Sequence, residues 1–291
     1  MLGVCLCFFS PCNYAMPKQH LQNTLARLEK INVTVAVAQA TLPCQNAQPV
    51  PAAFRQIVYK NCQPMFLKEN LWNLAADLLL DCEKLLFLDS DINLTGNWLR
   101  AVSDALDTHD IIQPFEKCQW LDRAQNSFRE LSCAAVAVSR GEIPYPSIFH
   151  PGFGLAMTRA AYNRLGGLYE KMIAGGGDIA FWFAMLNNPK IMATLIKRDA
   201  AGETNTLAPS YLAYRENALR QHFSIGFVPD IVAAHFWHGE RQNRNYLSRE
   251  KFFPKFDNKE PAVMRRPDGL LMFTRPAPFA QEYFELRKED G

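Results

Sequence analysis

Lys84-Leu85-Leu86-Phe87-Leu88-Asp89-Ser90-Asp91-Ile92 sets a short apolar run directly before two carboxylates one residue apart. Four apolar residues in succession between polar flanks read as a strand buried on both faces, as in the middle of a parallel sheet. Acids at the C-terminal end of such a strand lie in the crevice where open α/β sheets bind ligands. Two carboxylates there suit a hard divalent cation, Mg2+ or Mn2+, that also holds a diphosphate. A nucleotide-sugar site is the sharpest reading of the stretch.

The three letters alone carry little weight. With 14 Asp in 291 residues, about 0.7 Asp-x-Asp triplets are expected by chance. A competing reading is a helix N-cap, Asp91 or Thr95 capping the run Gly96 to Val102. What lifts the triplet is its place straight after a buried strand.

At 291 residues and 48% hydrophobic, the chain fits one large α/β domain or two small ones. A net charge of +2 with pI near 8.1 excludes a polyanion-binding field over the whole molecule. Residues 239–276, with nine Lys/Arg against five Asp/Glu, keep a local basic bias. The eight cysteines form no CxxC pair and no zinc-like spacing, so they are expected reduced and buried. Leu2 to Phe9 is short, lacks a basic flank and runs into Ser-Pro-Cys-Asn, which reads as a first strand rather than a signal peptide. No stretch approaches the roughly 18 apolar residues of a membrane span. The expectation is a soluble protein of the bacterial or phage-infected cytoplasm.

Along the chain the pattern predicts a strand at 3–9, a helix over 17–30, strands at 31–38 and 54–59, a helix over 64–80 and the strand 84–88. That order is doubly wound. A helix over 96–107 and a strand over 109–115 follow. Pro144, Pro146 and Pro151 predict irregular backbone over 123–150, a flap above the site. A strand at 153–158, helices at 159–165, 178–186 and 209–222, a strand at 231–236 and a helix at 243–253 complete the domain. The tail 260–291 holds a strand at 270–274 and a last amphipathic helix.

Three further stretches carry chemistry. Asp178 follows Gly175-Gly176-Gly177, residues that let backbone approach a ligand closely. It reads either as an N-cap or as a carboxylate that accepts a proton from an acceptor hydroxyl. In His235-Phe236-Trp237-His238-Gly239, residues i and i+3 of a regular strand point to opposite faces, so the spacing predicts one ligand, His238, and one structural histidine. Lys68, in Phe66 to Asn73, could meet a diphosphate as a point charge. There is no GxGxxG, GxxxxGK[ST], GxSxG or HExxH.

The order of these pieces resembles GT-A-fold glycosyltransferases. It is most similar to bacterial and phage-borne glycosyltransferase-like proteins with strand-Asp-x-Asp, Gln-Pro-Phe, His-Pro-Gly-Phe, Gly-Gly-Gly-Asp and His-x-Trp-His-Gly in register. Here these are Asp89 to Asp91, Gln113 to Phe115, His150 to Phe153, Gly175 to Asp178 and His235 to Gly239. Phe66 to Asn73 resembles the helix with a basic residue and an Asn in the β-1,4-galactosyltransferase-like group, and His238 to Arg241 resembles its metal-binding segment. One departure stands out: that group's Gly-Gly-Glu-Asp has two acids, whereas Gly177 occupies the place of the first.

The resemblance implies a Rossmann-like GT-A domain over 1–259 with a mixed, mostly parallel sheet. Residues 1–115 would be its nucleotide-sugar half, 116–259 its acceptor half, and 260–291 an extension packed on it. It implies a hexosyltransferase using Mn2+ or Mg2+ and a UDP-sugar. Asp89, Asp91 and His238 would hold the metal. Pro11, Asn13, Gln39, Lys68, Asn73, Asp89 and Ser90 would line the donor, and Asp178 would act on the acceptor hydroxyl. Two acceptors follow: a 5-hydroxymethylpyrimidine in phage DNA, or a saccharide of envelope or capsule synthesis. A nucleotidyltransferase is the runner-up, although Ser10 to Asn13 lacks its Gly-rich basic phosphate loop; a nucleotide-sugar sensor without turnover is another.

Overall fold

The computed structural model describes residues 1–173, 175–188, 207–240, 243 and 263–290. The first half builds two consecutive crossovers: β1 (Leu2–Phe9), α1 (Ala15–Leu28), β2 (Thr34–Ala40), β3 (Arg55–Tyr59), α2 (Lys68–Asp77) and β4 (Lys84–Leu88). β1 and β4 are apolar on both faces because helices cover both sides of the sheet, and nearly every residue in them is buried. α2 starts four residues later than the apolar spacing suggests, since the Phe66 N–H is bound to the Ile173 carbonyl (2.9 Å).

After β4 come β5 (Ile92–Leu94), α3 (Trp98–Ala105), β6 (Ile111–Gln113), β7 (Lys117–Leu121), β8 (Ser127–Cys133), α4 (Ala134–Val138), β9 (Phe149–His150), β10 (Gly154–Thr158) and α5 (Arg159–Leu165). Then follow α6 (Gly177–Ala184), α7 (Leu207–Arg220), β11 (Ile225–Phe227), β12 (Val232–His235), the hairpin β13 (Val263–Arg265) with β14 (Leu271–Phe273), and α8 (Pro278–Glu285). The helix expected over 243–253 lies outside the described residues, as does most of the basic stretch.

The central sheet has seven strands in the order β11-β6-β10-β4-β1-β2-β3. All neighbours are parallel except β10, which runs antiparallel to both β4 and β6. The fold is therefore mixed α/β with a mostly parallel sheet flanked by helices, as expected from the pattern. Because β10 is reversed, its beginning lies beside the C-terminal ends of β1, β4 and β6. Gly154 pairs with Leu88, and the Phe153 carbonyl accepts the Asp89 N–H at 3.1 Å.

A second sheet, β5-β12-β7-β8-β9, stands beyond those ends. The expectation of irregular backbone over 123–150 is corrected here. Asp122 to Gln125 is a tight turn, β8 pairs with β7 from Ser127 to Ser132, and α4 follows β8 at once. Of the prolines that suggested a flap, Pro144 and Pro146 fall in the shorter connection between α4 and β9, and Pro151 follows β9. Among the described residues no helix is long and apolar enough to cross a membrane.

Candidate active site at the strand ends

The turn after β4 is held from below by α1. Thr24, nearly fully buried, donates its hydroxyl to the Ser90 carbonyl (2.7 Å), and Arg27 donates to the Ile92 carbonyl (3.0 Å). The chain then enters β5, which pairs antiparallel with β12 so that Ile92 faces His235. The Phe236 N–H bonds to the Asp91 carbonyl at 3.0 Å. Backbone pairing, not side-chain chemistry, thus carries residue 235 to residue 91 across a long separation in sequence.

Three ligand atoms meet there. The Asp91 carboxylate lies 2.9 Å from His238 Nε2 and 3.4 Å from His235 Nε2, and the two imidazole nitrogens are 3.2 Å apart. All three side chains are largely buried. For metal–ligand bonds near 2.1 Å, neighbouring ligand atoms sit about 3.0 Å apart in an octahedron and about 3.4 Å in a tetrahedron, so this spacing suits one shared cation. Among the described residues this is the group of His, Cys, Asp and Glu with such spacing. Burial opposes the charge on Asp91, but His235 and His238 outweigh it and hold its pKa well below the usual carboxylate range.

Both histidines reach Asp91, where the spacing led to an expectation of one. β12 stops at His235, and the chain bends through Phe236 and Trp237 before His238, so the alternation of a regular strand no longer applies. Asp89 lies outside this cluster of three. Its carboxylate pairs with Lys68 Nζ at 3.3 Å, and Lys68 also lies over the Trp72 ring at 4.7 Å. Burial disfavours the charged lysine, yet Asp89, Asp178 and Glu69 hold its pKa above the ordinary value.

Lys68 is also on the wall of a narrow cleft between α2 and α6, open to solvent at its mouth. Glu69, Trp72, Asp178, Phe181 and Trp182 line it too. Asp178 is seated by Gly152: a Cβ on that glycine would come within 2.5 Å of Asp178 Oδ2. The loop carrying Gly152 is fixed by Gln113, fully buried at the end of β6. Its amide donates to the carbonyls of His150 (3.0 Å) and Gly152 (3.1 Å) and accepts from the Ala135 N–H (3.1 Å). Trp182 Nε1 donates to the Pro151 carbonyl at 2.9 Å and ties the same loop to α6. Phe153, between Gly152 and Gly154 of the cleft lining, stacks on His235 (4.8 Å) and packs on His150 (3.9 Å), so the loop beside the cleft also touches the cation cluster. Burial pushes His150 down to about 3, which keeps that imidazole neutral.

The remaining expected donor residues are placed as follows. Pro11 and Asn13 form the turn after β1, with Asn13 N–H bonded to Ser10 O and its backbone in the left-handed region. Gln39, at the end of β2, has its amide engaged on both sides by the Gln48 backbone (2.9 and 2.8 Å). Asn73 is buried and bonded to Leu168 N–H and carbonyl, Tyr162 and Glu170, so it braces α2 against the chain after α5. Ser90 contributes its carbonyl to Thr24. The tail reaches this end as well: Asp290 accepts from the Ala15 and Met16 N–H groups at the start of α1 (both 2.8 Å), and Leu271 N–H donates to Asn70 (3.0 Å).

No family model matches the chain, and no curated protein matches it. Among solved structures it is similar to Staphylococcus aureus TarS in complex with UDP-GlcNAc, at 14% identity and TM-score 0.43, over 62% of this chain and 52% of that one. The chain thus spans about half the length of that relative. It is also similar to S. aureus TarS (13%, TM-score 0.49, 88% and 40%). A third likeness is to glucosyl-3-phosphoglycerate synthase of Mycobacterium tuberculosis in complex with Mn2+, UDP and phosphoglyceric acid (13%, TM-score 0.44, 86% and 74%).

Proposed function

We propose that the protein is a metal-dependent glycosyltransferase moving a sugar from a nucleotide-sugar, a UDP-sugar first among them, to an acceptor hydroxyl. The observation that carries this reading is the meeting of Asp91, His235 and His238 at the C-terminal edge of a mostly parallel sheet, one residue from the Asp89–Lys68 pair. Two imidazoles with one carboxylate favour Mn2+ over Mg2+, which prefers an all-oxygen shell. Such a cation, when bound, neutralises charge on the departing diphosphate.

In this reading each neighbour has a task. Lys68 offers a point charge toward the diphosphate. Asp89 and Ser90 hold the ribose side, and the turn through Pro11 and Asn13 lines the nucleoside. The end of β2 supplies wall rather than hydrogen bonds, since the Gln39 amide is already engaged. Asp178 accepts the acceptor's proton. The acceptor is either a saccharide or the hydroxymethyl group of a modified pyrimidine in DNA. Acids on the cleft wall disfavour a phosphate backbone, which favours the saccharide.

The test incubates the protein with Mn2+ and a panel of UDP-, GDP- and dTDP-sugars, measuring nucleotide release with saccharide or hydroxymethylcytosine DNA present. Release that needs Mn2+ and disappears in Asp91→Ala is expected. Metal-dependent release surviving that change would remove the cluster from the reaction. Stimulation by DNA that falls steeply with salt, and none by saccharide, would reverse the acceptor preference.

A further inference from the structure

Glu69 is a buried titratable group on the cleft wall that the proposed reaction leaves without a task. It is only 6% exposed, yet it borders the cleft. Among the described residues no hydrogen bond or ion pair joins its carboxylate to another residue's side chain; its own backbone N–H is the one group that bonds to it. An ionised carboxylate held that way is costly unless something else satisfies it. The fold makes room for it on purpose. A Cβ on Gly177 would lie 2.3 Å from the Glu69 carboxyl carbon, so a side chain there would require the Glu69 carboxylate to move. Gly177 does not have the positive φ of Gly175 and Gly176, so its backbone would accept a side chain; what a Cβ would meet is the Glu69 carboxylate.

Asp178, the next residue, is seated the same way against Gly152. Two carboxylates from different helices are therefore set side by side on one wall, each in a notch cut by a glycine of a facing segment. Trp72, Phe181 and Trp182 form an apolar surface beside them. A pair of acceptors next to flat aromatic rings matches a ring compound with neighbouring hydroxyls on its edge and C–H groups on its face.

Resting on the glycosyltransferase reading, we propose that this cleft is the acceptor subsite, that the acceptor is a pyranoside, and that Glu69 contacts it by accepting a hydrogen bond from the hydroxyl next to the one that reacts. In the transfer step the reacting oxygen bonds to the donor's anomeric carbon. The bond from that carbon to the diphosphate oxygen breaks, its electron pair leaving on the nucleoside diphosphate, and the hydroxyl proton passes to Asp178. Glu69 takes no proton and fixes which hydroxyl is presented. Burial, Asp178 and Asp89 raise its pKa to about 7 against the pull of Lys68. An incoming hydroxyl donor relieves that situation.

The test compares the full chain with Glu69→Ala, Glu69→Gln and the relocation variant Glu69→Ala/Gly177→Asp, whose new carboxyl carbon sits one bond from the Cβ position that Glu69 now crowds. Donor hydrolysis with Mn2+ and UDP-glucose, UDP-galactose or UDP-GlcNAc is measured first, then transfer to a set of methyl hexopyranosides. Glu69→Ala should raise the acceptor KM about 10- to 100-fold, the loss of one charge-assisted hydrogen bond, with donor hydrolysis retained and a thermal midpoint no lower than that of the wild type. The relocation variant should recover most of that loss. An unchanged KM in Glu69→Ala, no recovery in a relocation variant that folds and hydrolyses donor normally, or no transfer to any pyranoside by a hydrolytically active wild type would each overturn the assignment. Absence of metal-dependent hydrolysis in the wild type would instead overturn the glycosyltransferase reading beneath it.

Discussion

The cation cluster and the cleft lie at the same edge of the sheet and are joined by the loop that carries Gly152 and Phe153, yet they are built by opposite means. Asp91, His235 and His238 are brought together by strand register: β5 pairs with β12, and the residue that must move follows its backbone. Glu69 and Asp178 stand in the first turns of α2 and α6 and are admitted by glycines opposite them. The first arrangement gathers ligands that face one another at 2.9 to 3.4 Å, a spacing that suits a small cation. The second sets acids side by side along an apolar wall, where a larger neutral ligand fits. Strand ends here supply the point of charge and helix starts supply the shape.

The comparison can be broken most forcefully at Asp91. Asp91→Ala should lower Mn2+ affinity and metal-dependent turnover by on the order of 100-fold or more, with little change in far-UV circular dichroism; calorimetric Mn2+ titration reads it. A smaller loss, about 10- to 100-fold in metal affinity, is expected for His235→Ala. If only His238→Ala weakened the metal, strand register would lose its role. In Asp178→Asn, transfer should disappear while UDP binding by calorimetry stays as it was. Lost donor affinity would move that carboxylate from the cleft to the nucleotide.

Glu69 gives a subtler handle through pH. Its ordinary value is 4.5 and burial lifts it to about 7, so the folded protein binds this proton more tightly than the unfolded chain. The stability it contributes is complete below about pH 4.5 and lost as pH rises through about 7. Glu69→Gln should therefore gain up to about 3 kcal/mol over wild type at pH 8 and nothing at pH 4, read from urea midpoints. Smallest is Thr24→Val, which removes the bond to the Ser90 carbonyl and should cost about 1 kcal/mol with a modest drop in Mn2+ affinity.

Much of the architecture was legible because long apolar or periodic segments declare themselves. β1, β4, α1 and α5 fall where the pattern puts them, within a few residues. What was not legible are the three-residue strands β5 and β11, how short β6 is within the expected 109–115, and the β7–β8 pairing. Such strands exist through their partners, and a partner far along the chain leaves no local signal. Asp91, His238, Lys68 and Asp178 could be picked out from their neighbours in sequence. His235 was set aside by a rule for regular strands that stops applying one residue later. Glu69 hid beside Lys68 on an ordinary helix start. The clue to it was elsewhere, in the glycine at 177 where the resembling motif has an acid.

β10 enters the sheet head-down, so what comes before it and what comes after it live on opposite rims. Lengthening the chain between Thr158 and Arg159, where β10 meets α5, would add bulk far from the chemistry. A single residue inserted between His150 and Gly154 would displace the pocket that seats Asp178. Variation introduced into this scaffold should accordingly be tolerated on the trailing side of that strand and punished on its leading side.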